Sequence, residues 1–153
     1  MGKYQFLKGQ KKRETVILLH GLARTGSSFS KLANELVKQG YDVVNCTYPS
    51  RHFCVEELAM TTIKEALDVC AGTEKIHFVT HSMGGILIRY YLNRKRIIEL
   101  GRVVMLGPPN KGSQVVDRLR QTPGFKLING PAGLQLGTQA GDLPNQLGSV
   151  NYE

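Results

Sequence analysis

The segment best suited to do chemistry is Phe78-Val79-Thr80-His81-Ser82-Met83-Gly84-Gly85. An apolar stretch stops at a serine, and the residues after it read as a helix. A strand that turns sharply into a helix projects a serine hydroxyl above the end of a sheet, the posture of an acyl-transfer nucleophile. Such a serine needs a histidine to take its proton. The chain has four histidines, His20, His52, His77 and His81, and none follows Ser82. The residues therefore announce a nucleophile and leave its base without a downstream candidate.

A second motif, His20-Gly21-Leu22, closes the first apolar run. Acyl transfer passes through an oxyanion, and donors aimed at it are often the largest catalytic contribution. A glycine after a strand lets the backbone bend so that the next amide, that of Leu22, points into the site. The Met83 amide, at the start of the helix after Ser82, has the helix dipole behind it and can serve the same oxyanion. The turn at Ser82 needs small neighbours because strand and helix backbones approach closely. Gly84 meets that need, while Thr80 stands where such turns commonly have glycine. His81 adjoins the serine, but neighbours at this kind of turn point apart, so its ring is expected to pack into the structure. His20 is expected to be structural, His52 lies in a loop, and His77 lies within a strand. The cysteines have no such turn around them.

These residues need a sheet to position them. Thr15-Val16-Ile17-Leu18-Leu19 is a continuous apolar run ending at His20-Gly21, as expected of a strand buried on both faces. Ser27 and Ser28 offer helix caps, and Phe29, Leu32, Ala33, Leu36 and Val37 recur at helical spacing until Gly40. Tyr41 to Tyr48 reads as a strand closed by Pro49, Val55 to Cys70 as a helix, and Lys75 to Thr80 as a strand. Met83 to Asn93 reads as a helix, Arg102 to Leu106 as a strand, and Ser113 to Arg120 as a short helix. The alternation predicts an α/β fold with a parallel sheet and right-handed crossovers. Its expected order is the Tyr41, Thr15, Lys75 and Arg102 strands, leaving the last as an apolar edge open to self-association. From Gln121 onward glycines and prolines dissolve the pattern, so 121–153 is expected to be a loop or a disordered tail. Residues 1–14 form a basic N-terminal segment and 15–120 the core.

The chain has 153 residues, is 41% hydrophobic and 21% charged, and carries a net charge of +8. That is a one-domain length with an ordinary composition. No apolar stretch approaches the ~20 residues of a bilayer span, and the first residues do not resemble a secretory signal. Cys46, Cys54 and Cys70 lack metal-ligand spacing and read as free thiols in a reducing cytoplasm. No metal and no cofactor is expected. Basic residues gather at Lys8, Lys11, Lys12 and Arg13 and again at Arg89, Arg94, Lys95 and Arg96. No nucleic-acid motif accompanies them, so they are expected to be solvated surface.

The two motifs, together with Leu106-Gly107-Pro108-Pro109-Asn110-Lys111-Gly112-Ser113, resemble the α/β-hydrolase family, in particular its lipase-like and esterase-like members. The first of these stretches extends through Ala23-Arg24-Thr25 to Ser28-Phe29, and the resemblance covers Thr15 to Ser113. It implies Ser82 as nucleophile, the Leu22 and Met83 amides as the oxyanion hole, and a small-molecule or lipid ester as substrate. Family order is serine, acid, histidine. Asp117 and Asp142 are the later aspartates, and no histidine accompanies them. The chain is thus expected to be the N-terminal part of such a fold, from a truncated or interrupted gene or as a partial chain. Three readings stand: an ester hydrolase by ancestry, weak or inactive as this chain; a non-catalytic remnant or binding module; and a basic interaction protein.

Overall fold

The computed structural model describes residues 2–10 and 13–148. Five strands, β1 (Lys3–Leu7), β2 (Glu14–Leu19), β3 (Asp42–Thr47), β4 (Lys75–His81) and β5 (Leu100–Leu106), form one sheet in the order β1-β3-β2-β4-β5. β3, β2, β4 and β5 are parallel, in the expected order, and β1 pairs antiparallel with β3. The sheet is therefore mixed rather than purely parallel. The N-terminal segment is not merely a loose basic head: Lys3–Leu7 aligns opposite Val43–Thr47. Lys11 and Lys12 of the expected basic head lie outside the described residues.

Helices pack on both faces. α1 (Ser30–Lys38) covers one face, where Val16, Leu18 and Val43 meet Phe29 and Ala33. α2 (Val55–Val69) and α3 (Met83–Leu92) cover the other, where Ile17, Leu19, Val44 and Phe78 meet Leu58, Ile63, Ile86 and Leu87. Ile17, Leu18 and Leu19 are fully buried. Successive residues of a strand face opposite sides, so this run fills both cores at once. Each such side chain contributes about 1.5–3 kcal/mol by leaving water.

The segment after Gln121 is where expectation and structure part most. Short α4 (Gln114–Leu119) is followed by α5 (Phe125–Leu134) and α6 (Leu143–Gln146). Phe125, Ala132, Leu136, Leu143 and Leu147 enter the same core as α2 and α3. α5 is broken at Gly130, whose φ is +66°, with Pro131 following. A Cβ there would lie 1.7 Å from the Arg51 carbonyl oxygen, so only glycine lets the chain cross that loop. Arg120 ties the segment down through Asp142 at 3.0 Å and Asp117 at 3.6 Å. Arg89, expected on a solvated face, instead donates from α3 to the Asn110 side chain and to the backbone carbonyl of Leu147. α3 is enclosed along its first two turns, with Met83 to Ile88 all buried.

β5 has no second neighbour among the described residues, and Val104 and Leu106 are exposed on it. Its pairing with β4 shifts register between Ile76 and Phe78. There the His77 ring replaces a backbone partner: its Nδ1 accepts from the Arg102 amide at 2.9 Å and its Nε2 faces Glu14 at 3.1 Å.

Candidate active site

Ser82 lies between β4 and α3, at the C-terminal edge of the sheet. The chain leaves β2 toward α1 on one face and leaves β4 toward α3 on the other, so the crevice between these strand ends is where open α/β sheets place ligands. Ser82 adopts φ +50°, ψ −118°, a left-handed conformation rare outside glycine. Such strain persists only where surroundings enforce it. Here the Ser82 amide donates to the Leu106 carbonyl at 2.9 Å, and the Ser82 carbonyl accepts from the Gly85 amide at 3.0 Å. Ser82 is half-buried, and its hydroxyl makes no hydrogen bond within the described residues.

Two glycines permit the close approach. A Cβ on Gly84 would sit 2.4 Å from the Leu19 carbonyl oxygen, so the first turn of α3 rests directly on the end of β2. A Cβ on Gly21 would sit 3.3 Å from the Ser82 Cβ and 3.0 Å from His81 Nδ1. The structure thus brings together the two segments that carry Leu22 and Met83. Thr80 fits where a glycine is more usual because Gly85 leaves it room: its Oγ1 would lie 3.4 Å from a Cβ at that position. The buried Thr80 hydroxyl has no hydrogen-bond partner among the described residues.

The loop after β2 is fixed by a set of contacts that sequence reasoning missed. The His20 ring stacks on Tyr48 with centroids 3.9 Å apart. Its Nδ1 bonds the Gly21 carbonyl at 2.8 Å, its Nε2 accepts from the Tyr48 amide at 3.2 Å, and the Tyr48 hydroxyl donates to the His20 carbonyl. These partners define the tautomer with hydrogen on Nδ1. Burial drives the His20 pKa below the usual histidine value, outweighing the opposing pull of the Gly21 carbonyl. One residue beyond Leu22, Ala23 has φ +54° and donates its amide to the buried Ser50 hydroxyl at 3.0 Å. The only local signal for these partners was the Tyr48-Pro49-Ser50 turn closing β3.

The remaining candidates fall elsewhere. His20 and His77 are held by structural bonds. His52 is exposed, and so is His81, whose ring was expected to pack inward. No hydrogen bond joins Ser82 to any of the four. Asp117 accepts from the Thr138 amide and hydroxyl, and Asp142 binds Arg120 and the Gln139 amide, so both acids organise the C-terminal segment. Cys46 and Cys70 are buried, and burial pushes the Cys46 thiol up to about 12, which makes it a poor nucleophile. Among the described residues no cluster of three or more His, Cys, Asp or Glu could hold a metal, and no helix is long and apolar enough to cross a membrane.

The sequence profile described as the Alpha/beta hydrolase family matches residues 15–119, and the chain belongs to that family. Solved structures agree on the fold. The mature Bacillus licheniformis lipase BlEst2 superposes with a TM-score of 0.68 at 22% identity, covering 89% of this chain and 61% of the lipase. The monoacylglycerol lipase of Paleococcus ferrophilus gives 0.67 at 22% identity, covering 96% of this chain and 71% of that protein. Phospholipase PlaB of Legionella pneumophila gives 0.68 at 22% identity, with coverage of 88% and 34%. The chain thus spans about three-fifths of the length of the mature BlEst2 lipase. No curated protein matches it by sequence.

Proposed function

We propose that this chain carries the nucleophile half of a serine ester hydrolase. Ser82 is the nucleophile, and the amides of Leu22 and Met83 form the oxyanion hole. The observation that supports this most is the left-handed Ser82 at the β4–α3 turn, set against the glycine that precedes Leu22. Ser82 Oγ attacks the ester carbonyl carbon. The carbonyl oxygen takes the negative charge, which the two amides stabilise, and collapse expels the alcohol to leave an acyl-serine that water then hydrolyses. The structural neighbours, a lipase, a monoacylglycerol lipase and a phospholipase, favour lipid or other carboxylic esters.

The step that lacks support within the described residues is removal of the serine proton. Without it the hydroxyl stays a weak nucleophile. Hydrolysis by this chain is therefore feeble. A site that lacks a triad member retains roughly 10³–10⁴-fold acceleration over water from its oxyanion hole and binding. Losses within a triad do not add, so Ser82→Ala lowers that residual rate little further. Hydrolysis of a short-chain nitrophenyl ester by the chain and by Ser82→Ala tests this. Weak, nearly equal rates above buffer are expected. Rates equal to buffer for both proteins would remove the oxyanion hole, and vigorous turnover lost in Ser82→Ala would place a base among the four histidines.

A further inference from the structure

A cleft of about 340 Å³ opens beside the loop that follows β2. Its walls are that loop, the turn after β3, and the start of β1, with Lys3, Ala23, Arg24, Ser50, Arg51 and His52 among the lining residues. Three of these are permanent cations, His52 adds an imidazole, and none of the lining residues is acidic. Arg24, Arg51 and Lys3 form no ion pair among the described residues, whereas Lys8, Arg13, Lys38, Lys64 and Arg120 all do. The carboxylate of Glu65 lies near Gly2, beside Lys3, so the two arginines are the freer charges.

The cleft is also held in shape. Its two walls are joined by the Ala23 amide and the buried Ser50 hydroxyl at 3.0 Å. That bond keeps Ala23 at a φ of +54°, a conformation costing of order 1–3 kcal/mol for a residue with a side chain. The Arg51 backbone is pinned from outside by Gly130. Strain of this kind gathers where a loop must hold a fixed outline for a ligand. Ala23 is two residues from Gly21, which touches Ser82, and two residues reach at most about 7 Å. The Ala23 wall of the cleft is therefore only two residues along the chain from the glycine packed against Ser82.

We propose that this cleft is an anion subsite that binds a phosphate group on the ester substrate, placing the scissile carbonyl over Ser82. Guanidinium groups recognise phosphate through paired, charge-assisted hydrogen bonds. The placement of the ester rests on the proposed role of Ser82, but anion binding in the cleft does not.

The test is calorimetric titration of the Ser82→Ala protein, which forms no acyl-serine and whose residual hydrolysis is slow on the timescale of the titration. 1-Octanoyl-glycerol 3-phosphate should bind about tenfold more tightly than 1-octanoyl-glycerol, as expected for a screened, charge-assisted contact. Inorganic phosphate should compete with the charged ester. Arg24→Gln combined with Arg51→Gln should erase the preference while leaving the melting temperature unchanged. Lys31→Gln combined with Lys95→Gln removes the same charge away from the cleft and should leave the preference intact. The proposal is overturned if the two esters bind equally, or if the Lys31 and Lys95 pair abolishes the preference as well as the arginine pair does. It is also overturned if binding occurs only to phosphatidylglycerol vesicles and not to the monomeric ester, which would make the patch a membrane contact. Should Ser82 prove not to be a nucleophile, these titrations still decide the subsite, because they read binding alone.

Discussion

β4 and β5 run side by side and end at the same edge of the sheet. β4 pairs on both sides, buries Ile76, His77, Phe78 and Thr80, and delivers Ser82 into a turn where a glycine allows contact with the end of β2. β5 pairs on one side among the described residues, exposes Val104 and Leu106, and ends at Gly107, which has open space around its α-carbon. Close packing fixes a catalytic geometry only where strand ends, loop and helix over-determine each other. That condition holds between β2 and β4 and lapses at β5. The proposed nucleophile and oxyanion donors sit on the constrained side. In the family's chain order the acid and histidine come after the serine.

The largest expected effect separates the two glycines. Gly84→Ala pushes a methyl against the Leu19 carbonyl, which cannot move without disturbing β2, and should cost about 3 kcal/mol. Gly107→Ala meets nothing and costs only the strain of φ +54°, about 1 kcal/mol. Urea unfolding of the two variants measures the difference. Equal costs would mean that the α3–β2 contact is looser than described.

Acidity should loosen the constrained side next. His20 is held neutral by burial, with its pKa below the unfolded value of 6.5. Below pH 6.5 the unfolded chain binds a proton that the folded chain resists, so stability falls as pH drops toward the folded pKa. The stability that neutral His20 contributes is fully present above that window. H20Q should unfold with a flatter dependence between pH 7 and 5, measured by urea midpoints. An unchanged slope would assign the acid sensitivity elsewhere.

The smallest effect is expected at the open edge. Val104→Lys should change stability by less than about 0.5 kcal/mol, because the side chain is already half in water. It should nevertheless shift any self-associated species toward monomer in size-exclusion chromatography, since an inserted lysine blunts an exposed edge strand. A wild-type chain that is monomeric at high concentration would show that the β5 edge is not sticky.

The strands and helices around the site, β5 included, were the legible ones. Apolar runs bounded by His20-Gly21, Pro49 and Gly107-Pro108-Pro109 marked β2, β3 and β5, and helical spacing marked α1 to α3, because burial on known faces leaves a periodic trace. β1 left no such trace. Tyr4 and Phe6 face solvent, and the strand exists because β3 offers it an edge. α5 was hidden by Gly130-Pro131, which reads as a breaker yet marks where the chain crosses the Arg51 loop. The contacts of His20 with Tyr48 and of Ala23 with Ser50 join positions 28 and 27 residues apart, and no local pattern encodes such pairings. The His81 ring stays exposed and lies against Gly21, where a Cβ would sit 3.0 Å from its Nδ1.

The central claim is that Ser82 is a nucleophile short of a base, and added imidazole tests it most directly. Imidazole can take the serine proton in place of a missing histidine, and it also hydrolyses nitrophenyl esters by itself. The informative quantity is therefore the difference between wild type and Ser82→Ala as imidazole is raised at constant pH and ionic strength. The wild-type rate should climb more steeply than that of Ser82→Ala, with an acyl adduct seen by intact-mass analysis in the wild type and absent from Ser82→Ala. Identical imidazole slopes for the two proteins, with no adduct on the wild type, would contradict the claim.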